Sequence, residues 1–574
     1  MYDFGREECA ADQRRSEFAI PQEYVPHIHI KLGHYLICRT NYAVAEAKDP
    51  EENFRIVLEL SDNMPEKADL LEKCGVAFAR SFFGNANKKE DIDNCVLAYE
   101  AAVHLTPQGN SNMSGRLKKL GLLLYHRFGL AGDLTDISKA ILYQEKLLHL
   151  TPEGHADMPT WLNNLGDLFQ SRFEQTGDLA DISNAILYTQ KVLQLTSEGH
   201  ANMSSQLNNL GILFRNRFEH TKDLTDISNA ISYQQKALHL TPEGHANMPS
   251  QLSNLGISFQ SRFKHTGDLA DIFDAISYQQ KAVHLTPEGH SDMPTWLNNL
   301  GNSFQSCFKC TGNLVDISNA ISYKQKAVHH TPEGHAYMSN RLNNLGSSFQ
   351  SRFEHAGDLA DISNAISYYQ KAVYLTPEGH AYMPGRLNNL GISFQSRFEH
   401  TGDLADISDA ILYQKKAVHL TPEGHANIPS YLNSLGISFR SQFEHTGDLA
   451  DICNAISYLQ KAVNLTPEGH EYMSSRLNNL GISFQSRFDR TGDLVDISDA
   501  ISYKQKAVDL TSEGHANMPS WLINLGSSLR SRFEHTGDLA DISDAISYQQ
   551  KAVHLTPKGH TYISVAEVRF GPVL

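Results

Sequence analysis

The sequence predicts an all-α solenoid of stacked helical hairpins, and three observations carry that prediction. The first is a repeat of 45 residues within a chain of 574. The His of the phrase Glu-Gly-His (Lys-Gly-His in the last copy) falls at His155, His200, His245, His290, His335, His380, His425, His470, His515 and His560. The second is two successive stretches in each copy whose apolar residues recur at steps of three and four, the spacing of one helix face. The third is that each copy offers only striped helices, which must be buried by the copies on either side.

Residues 338–380 show how one copy is built. The stretch SNRLNNLGSSFQSRFEHAG reads as a first helix with Leu342, Leu345, Phe349 and Phe353 on one stripe. Several copies open with proline, as at Pro159, Pro249 and Pro294, where the missing N–H costs nothing. A mid-helix glycine costs about 1 kcal/mol relative to alanine, yet every copy from Gly121 to Gly526 keeps one. Close approach of a neighbouring helix explains it. Gly357 ends the helix, Asp358 caps the next one, and Asp361 adds a second carboxylate to its positive first turn. The second helix shows Leu359, Ile362, Ala365, Ile366, Tyr369, Ala372 and Val373 as one face, and Pro377 and Gly379 stop it.

Composition narrows the function. The chain is 41% hydrophobic and 20% charged, with 49 Lys and Arg against 65 Asp and Glu, a formal charge of −16. That excess is thinly spread and argues against nucleic acid or an anionic membrane as partner. The seven cysteines do not follow the repeat, so no disulfide framework is implied. The opening MYDFGREECAADQRRSEF holds no apolar core, and no stretch nears the ~20 apolar residues of a membrane span. A cytoplasmic protein is expected.

The repeat resembles the tetratricopeptide repeat. Leu297, Leu300, Gly301, Phe304, Ala320, Ala327 and Pro332 match that family's signature residues. Seven residues added between the helices and four between hairpins extend the family's roughly 34-residue unit to this one. The family's bulky B-helix residue falls on Lys324 with Tyr323 beside it, so that contact is expected to shift. The Leu-Asn-Asn-Leu-Gly string is similar to kinesin-light-chain repeats. The near-identical copies also resemble basidiomycete arrays, which often precede a caspase-like CHAT domain. The resemblance implies a right-handed α-solenoid superhelix of eleven to twelve hairpins, on the order of 100 Å along the stack.

It covers about residues 66–560. Cys74-Gly75 begins the first, diverged copy. Within residues 1–65, Lys31-Leu32-Gly33 and the apolar run near Phe54 to Leu60 suggest a degenerate capping repeat. After Ser564 the register is lost, so 561–574 reads as an out-of-register tail of a truncated product or fragment.

In tetratricopeptide arrays the first helices line the concave groove. Their fifth position is here Asn163, Asn208, Asn298, Asn343, Asn388, Asn433 and Asn478. The sixth is Asn164, Asn209, Asn254, Asn299, Asn344, Asn389, Asn479 and Asn524. Ser253, Ser434 and Ile523 interrupt these rows, and the twelfth position is mostly Gln, with Arg215, Arg440 and Arg530. An amide offers donors and an acceptor, so such rows suit the backbone of an extended peptide. The alternative is that they bond neighbouring helices and hold the pitch.

The third position varies (Trp161, Gln251, Arg341, Arg386, Tyr431, Trp521) and is placed at the groove or its rim, where it tunes specificity or merely drifts as an exposed site. Hairpins stack about 10 Å apart, too far for the repeated His residues to share a metal at ~2 Å bonds. They are expected to be loop residues packing on the next hairpin. Cys307 and Cys310 form a lone Cys-x-x-Cys, and no phosphate loop, GxSxG or HExxH is present. No catalytic residue, cofactor or metal is expected. A non-catalytic scaffold binding protein segments is favoured, over the sensor half of a CHAT protease or a structural spacer.

Overall fold

The computed structural model describes residues 50–84, 89–197, 200, 202–512 and 514–556. Lys31-Leu32-Gly33, His560 and the 561–574 tail lie outside them. The chain divides into two compact units, Met1–Asp271 and Ile272–Leu574, each an all-α stack of tetratricopeptide-like hairpins.

The first unit holds α1 (Pro50–Glu59), α2 (Lys67–Gly84), α3 (Lys89–Leu105), α4 (Asn112–Ala131), α5 (Leu134–His149), α6 (Met158–Thr176), α7 (Leu179–Leu195), α8 (Met203–Thr221), α9 (Leu224–Leu240) and α10 (Met248–Thr266). Helix α11 (Leu269–Leu285) carries the boundary. The second unit continues with α12 (Met293–Thr311), α13 (Leu314–His329), α14 (Met338–Ala356), α15 (Leu359–Tyr374), α16 (Met383–Thr401), α17 (Leu404–His419), α18 (Ile428–Thr446), α19 (Leu449–Asn464), α20 (Met473–Thr491), α21 (Leu494–Asp509), α22 (Met518–Thr536) and α23 (Leu539–Leu555). From α2 onward, even-numbered helices are the first (A) and odd-numbered the second (B) of a hairpin. Helix α1 packs Phe54 edge-on against Phe78 of α2, with ring centroids 5.5 Å apart.

Local chemistry sets the helix ends. Gly357 takes φ 73° and its N–H closes the A-helix on the Phe353 carbonyl at 2.7 Å. Asp358 then accepts from the N–H of Ala360 at 2.9 Å, capping the B-helix. Lys222 is the one non-glycine among the described residues at this left-handed turn, with φ 57°. The predicted stripes are buried, from Leu342, Leu345, Phe349 and Phe353 to Ile362, Ala365, Ile366, Tyr369 and Ala372. Leu359 departs from its stripe. As the first residue of the B-helix it sits at the edge of the stack, 45% exposed.

The mid-helix glycine is where the B-helix of the same hairpin presses closest. A Cβ on Gly211 would stand 2.9 Å from the Ala230 carbonyl oxygen, and one on Gly301 would stand 2.7 Å from Lys324 Cγ. The expected shift of the bulky contact is therefore corrected. Lys324 itself fills that position, while Tyr323 stacks on Phe304 with centroids 5.6 Å apart.

The third position is also corrected. Arg341, Arg386 and Arg476 are buried, not at a rim. Arg341 donates to Thr331 Oγ1 at 2.6 Å and, on the preceding A-helix, to Thr295 Oγ1 at 3.0 Å. Arg386 bonds Thr376 and Asn340 in the same way, and Arg476 bonds Thr466 and Ser430. The guanidinium fork suits this place because it reaches two oxygens on two elements at once.

Two further contacts recur. An Arg near the end of the A-helix grips the B-helix Asp nine residues on, as in Arg352–Asp361 and Arg397–Asp406, with both guanidinium arms at 2.5–2.8 Å. Where the residue two before the turn glycine is His, it sits edge-on to the Phe of the preceding A-helix, as in Phe353–His400 (4.6 Å) and Phe488–His535 (4.7 Å). No helix among the described residues is long and apolar enough to cross a membrane.

Candidate functional site

In the first unit the A-helices α8 and α10 touch one another directly, and in the second unit consecutive A-helices do so from α12 to α22. No two consecutive B-helices pack as closely among the described residues. A stack spaced more tightly on one side curves toward it, so the A-helices form the inner wall along these stretches.

The two asparagine rows meet on this wall. Nδ2 of a sixth-position residue donates to Oδ1 of the fifth-position residue one helix earlier. The pairs are Asn254 to Asn208 (3.4 Å), Asn344 to Asn298 (3.1 Å), Asn389 to Asn343 (3.2 Å), Asn479 to Asn433 (3.1 Å) and Asn524 to Asn478 (3.1 Å). Each rung ties two hairpins together and engages one N–H and one acceptor. Asn163 instead donates to Asp167 at 3.1 Å. Asn164 and Asn299 are half-buried, and Asn209 is exposed.

At Ser434 an interruption of the row loses the rung. Ser434 replaces the donor and turns its hydroxyl to the Ser430 carbonyl at 3.2 Å. Asn388, 7% exposed, then holds an Oδ1 with no hydrogen-bond partner.

The Gln row at the twelfth position is turned toward the next hairpin. Gln350 accepts from Ser393 Oγ, and Gln395 from Ser438 Oγ, both at 2.9 Å. Their amide N–H groups go to Glu354 and Glu399 at 2.9 and 3.0 Å, which gives one end of the wall an acidic margin. Two buried lysines, Lys324 and Lys504, stand in the same layer, and burial pushes both amines down to about 7. The sequence placed Lys324 at the family's bulky B-helix position but did not show either lysine as buried, because a lysine in an amphipathic helix reads as surface. The signal was its place opposite the invariant glycine.

The repeated His residues are loop residues. Nδ1 of His335 accepts the N–H of Tyr337 at 3.2 Å, and sister copies repeat this bond. His155 also stacks on Trp161 of the next A-helix, centroids 4.9 Å apart. Among the described residues no group of three or more His, Cys, Asp or Glu could hold a metal ion. Cys307 and Cys310 are free thiols. Burial pushes Cys307 up to about 11, and its thiol donates to Asp316 Oδ2 at 3.4 Å, an inert arrangement.

No family model and no curated protein sequence matches the chain. Solved structures with similar folds include a signal-transduction ATPase with numerous domains and a tetratricopeptide repeat sensor from Pyrococcus horikoshii. It is 13% identical, with 91% of this chain and 74% of that one covered and a TM-score of 0.47. A human IFIT1 dimer with m7Gppp-AAAA is 15% identical, covering 82% of this chain and 95% of that one at a TM-score of 0.43. A putative kinesin light chain with nearly identical TPR-like repeats, from Podosopora anserina, is 11% identical, covering 38% and 97% at 0.29. At such scores the fold assignment rests on the hairpin geometry itself.

Proposed function

We propose that the chain is a non-catalytic scaffold whose inner wall holds extended segments of partner proteins. The observation that carries this reading is the chemistry left over by the asparagine rungs. An asparagine offers two N–H groups and an acceptor oxygen. A rung engages one N–H of one residue and the oxygen of the other, so each pair keeps an acceptor and spare N–H groups. These are the complement of a peptide bond. Rungs recur about every 10 Å, the span of roughly three residues of extended chain. Holding the pitch and meeting a peptide backbone are then two uses of the same side chains.

The negative formal charge and the glutamates beside the Gln row oppose phosphate-rich partners. No nucleic acid or membrane partner is therefore proposed, and the cytoplasm remains the compartment expected from the sequence.

The test uses the full chain against an array of unstructured peptides. Saturable binding is expected, weakened at least tenfold by Asn344→Ala combined with Asn389→Ala, with helicity unchanged. No saturable binding would leave a spacer, and tighter binding to an RNA oligonucleotide than to any peptide would contradict the reading.

A further inference from the structure

Every hairpin sets one B-helix residue against the A-helix glycine, directed at the next hairpin. In two copies that residue is lysine. Lys324 Nζ donates to Gln305 Oε1, to Ser348 Oγ at 2.9 Å and to the Asn344 carbonyl at 3.2 Å. Lys504 repeats this with Gln485, Ser528 (2.7 Å) and the Asn524 carbonyl (3.2 Å). Two repeats before Lys324, the same place is taken by Gln234, and the counterparts of Gln305, Asn344 and Ser348 are Arg215, Asn254 and Ser258.

The glutamine leaves its helix along the lysine's path. A Cβ on Gly211 would lie 2.5 Å from Gln234 Cγ, against 2.7 Å between Gly301 and Lys324 Cγ. Gln234 is 1% exposed and Ser258 0%. Yet both amide atoms of Gln234, the Ser258 hydroxyl and Nη1 of Arg215 are buried with no hydrogen-bond partner. Such groups cost about 1–3 kcal/mol each when left unbonded, and three of them, Gln234 Oε1, the Ser258 hydroxyl and Arg215 Nη1, can share one partner.

We propose that this junction binds one water molecule at the place the lysine ammonium nitrogen holds in the sister junctions. An ammonium nitrogen and a water oxygen are close in size. Glutamine ends one bond short of lysine, which leaves its amide ~4–5 Å from the serine hydroxyl, the span of two hydrogen bonds through one water. The donor count also fits. Water accepts from Arg215 Nη1–H and Ser258 Oγ–H, and donates to Gln234 Oε1 and the Asn254 carbonyl, the two to four bonds a buried water requires. An anion would be repelled by that carbonyl and a cation by the guanidinium. The inference is independent of the peptide-binding reading.

A crystal structure that resolves solvent, determined from crystals grown in chloride and in bromide, is the direct test. One peak bonded to these four groups, with no anomalous signal in bromide, is expected. No peak, or a bromide peak, overturns the proposal. A second test rebuilds the lysine junction in the full chain. Gln234→Lys alone sets an ammonium against Arg215 and lowers the thermal midpoint. Combined with Arg215→Gln it expels the water and brings the midpoint to or above that of the parent. A double variant no more stable than the single one overturns the proposal.

Discussion

The hairpins α14–α15 and α18–α19 differ at the contact that joins the end of the A-helix to the start of the B-helix. In the first, Arg352 grips Asp361 with two arms and the carboxylate is 3% exposed. In the second, Gln442 stands where the arginine would be, and its Asp451 is half-buried. Burial, without a guanidinium to offset it, pushes the Asp451 carboxyl above the usual carboxylate range. The turn itself keeps its caps without the arginine, with the Gly447 N–H on the Phe443 carbonyl at 2.7 Å and the Ala450 N–H on Asp448 at 2.9 Å. The arginine draws Asp361 into the stack and makes its burial tolerable, so the clamp is a two-residue device split across both helices.

Four changes would break or sharpen this contrast. The largest effect is expected from Arg352→Gln, which leaves Asp361 buried without its cation and should cost about 2 kcal/mol. Native-state hydrogen exchange would read the loss in α14 and α15. Gln442→Arg should convert the second hairpin to the first kind and add about 1 kcal/mol of local protection. Ser434→Asn should restore the rung to Asn388 and contribute ~0.5–1 kcal/mol, read as slower exchange in α16 and α18.

The smallest effect is in pH. A carboxyl raised in the folded state favours folding when protonated. The Asp451 contribution is therefore full below the ordinary carboxylate range and is lost as pH rises through its raised value. Lowering pH from 7 toward 4 should protect α18–α19, and Gln442→Arg should remove that response. An unchanged response in the variant would assign it to another group.

Much of this fold was legible because it is written in local chemistry. Asp358 and Gly357 mark their helix ends by cap and left-handed turn, and Gly346 announces a close approach that Tyr369 fulfils. What escaped depends on contacts between elements. Asp361 reads in isolation as a helix-dipole residue. Its partner Arg352 lies nine positions earlier on another helix, and nothing local links the two. Arg341 reads as surface because arginine usually is, whereas here it bonds Thr331 ten residues back and Thr295 on the previous hairpin. The candidate site was legible as two rows of asparagine. That the rows meet in rungs required the offset of one helix against the next.

Peptide capture by the inner wall is the central claim. Its most direct measurement is a hydrogen-exchange footprint of the full chain saturated with a peptide selected from the array. Slowed exchange confined to the A-helices, strongest around Asn343–Asn344 and Asn388–Asn389, is the expected result. Protection confined to the B-helices, or none at saturation, would contradict it.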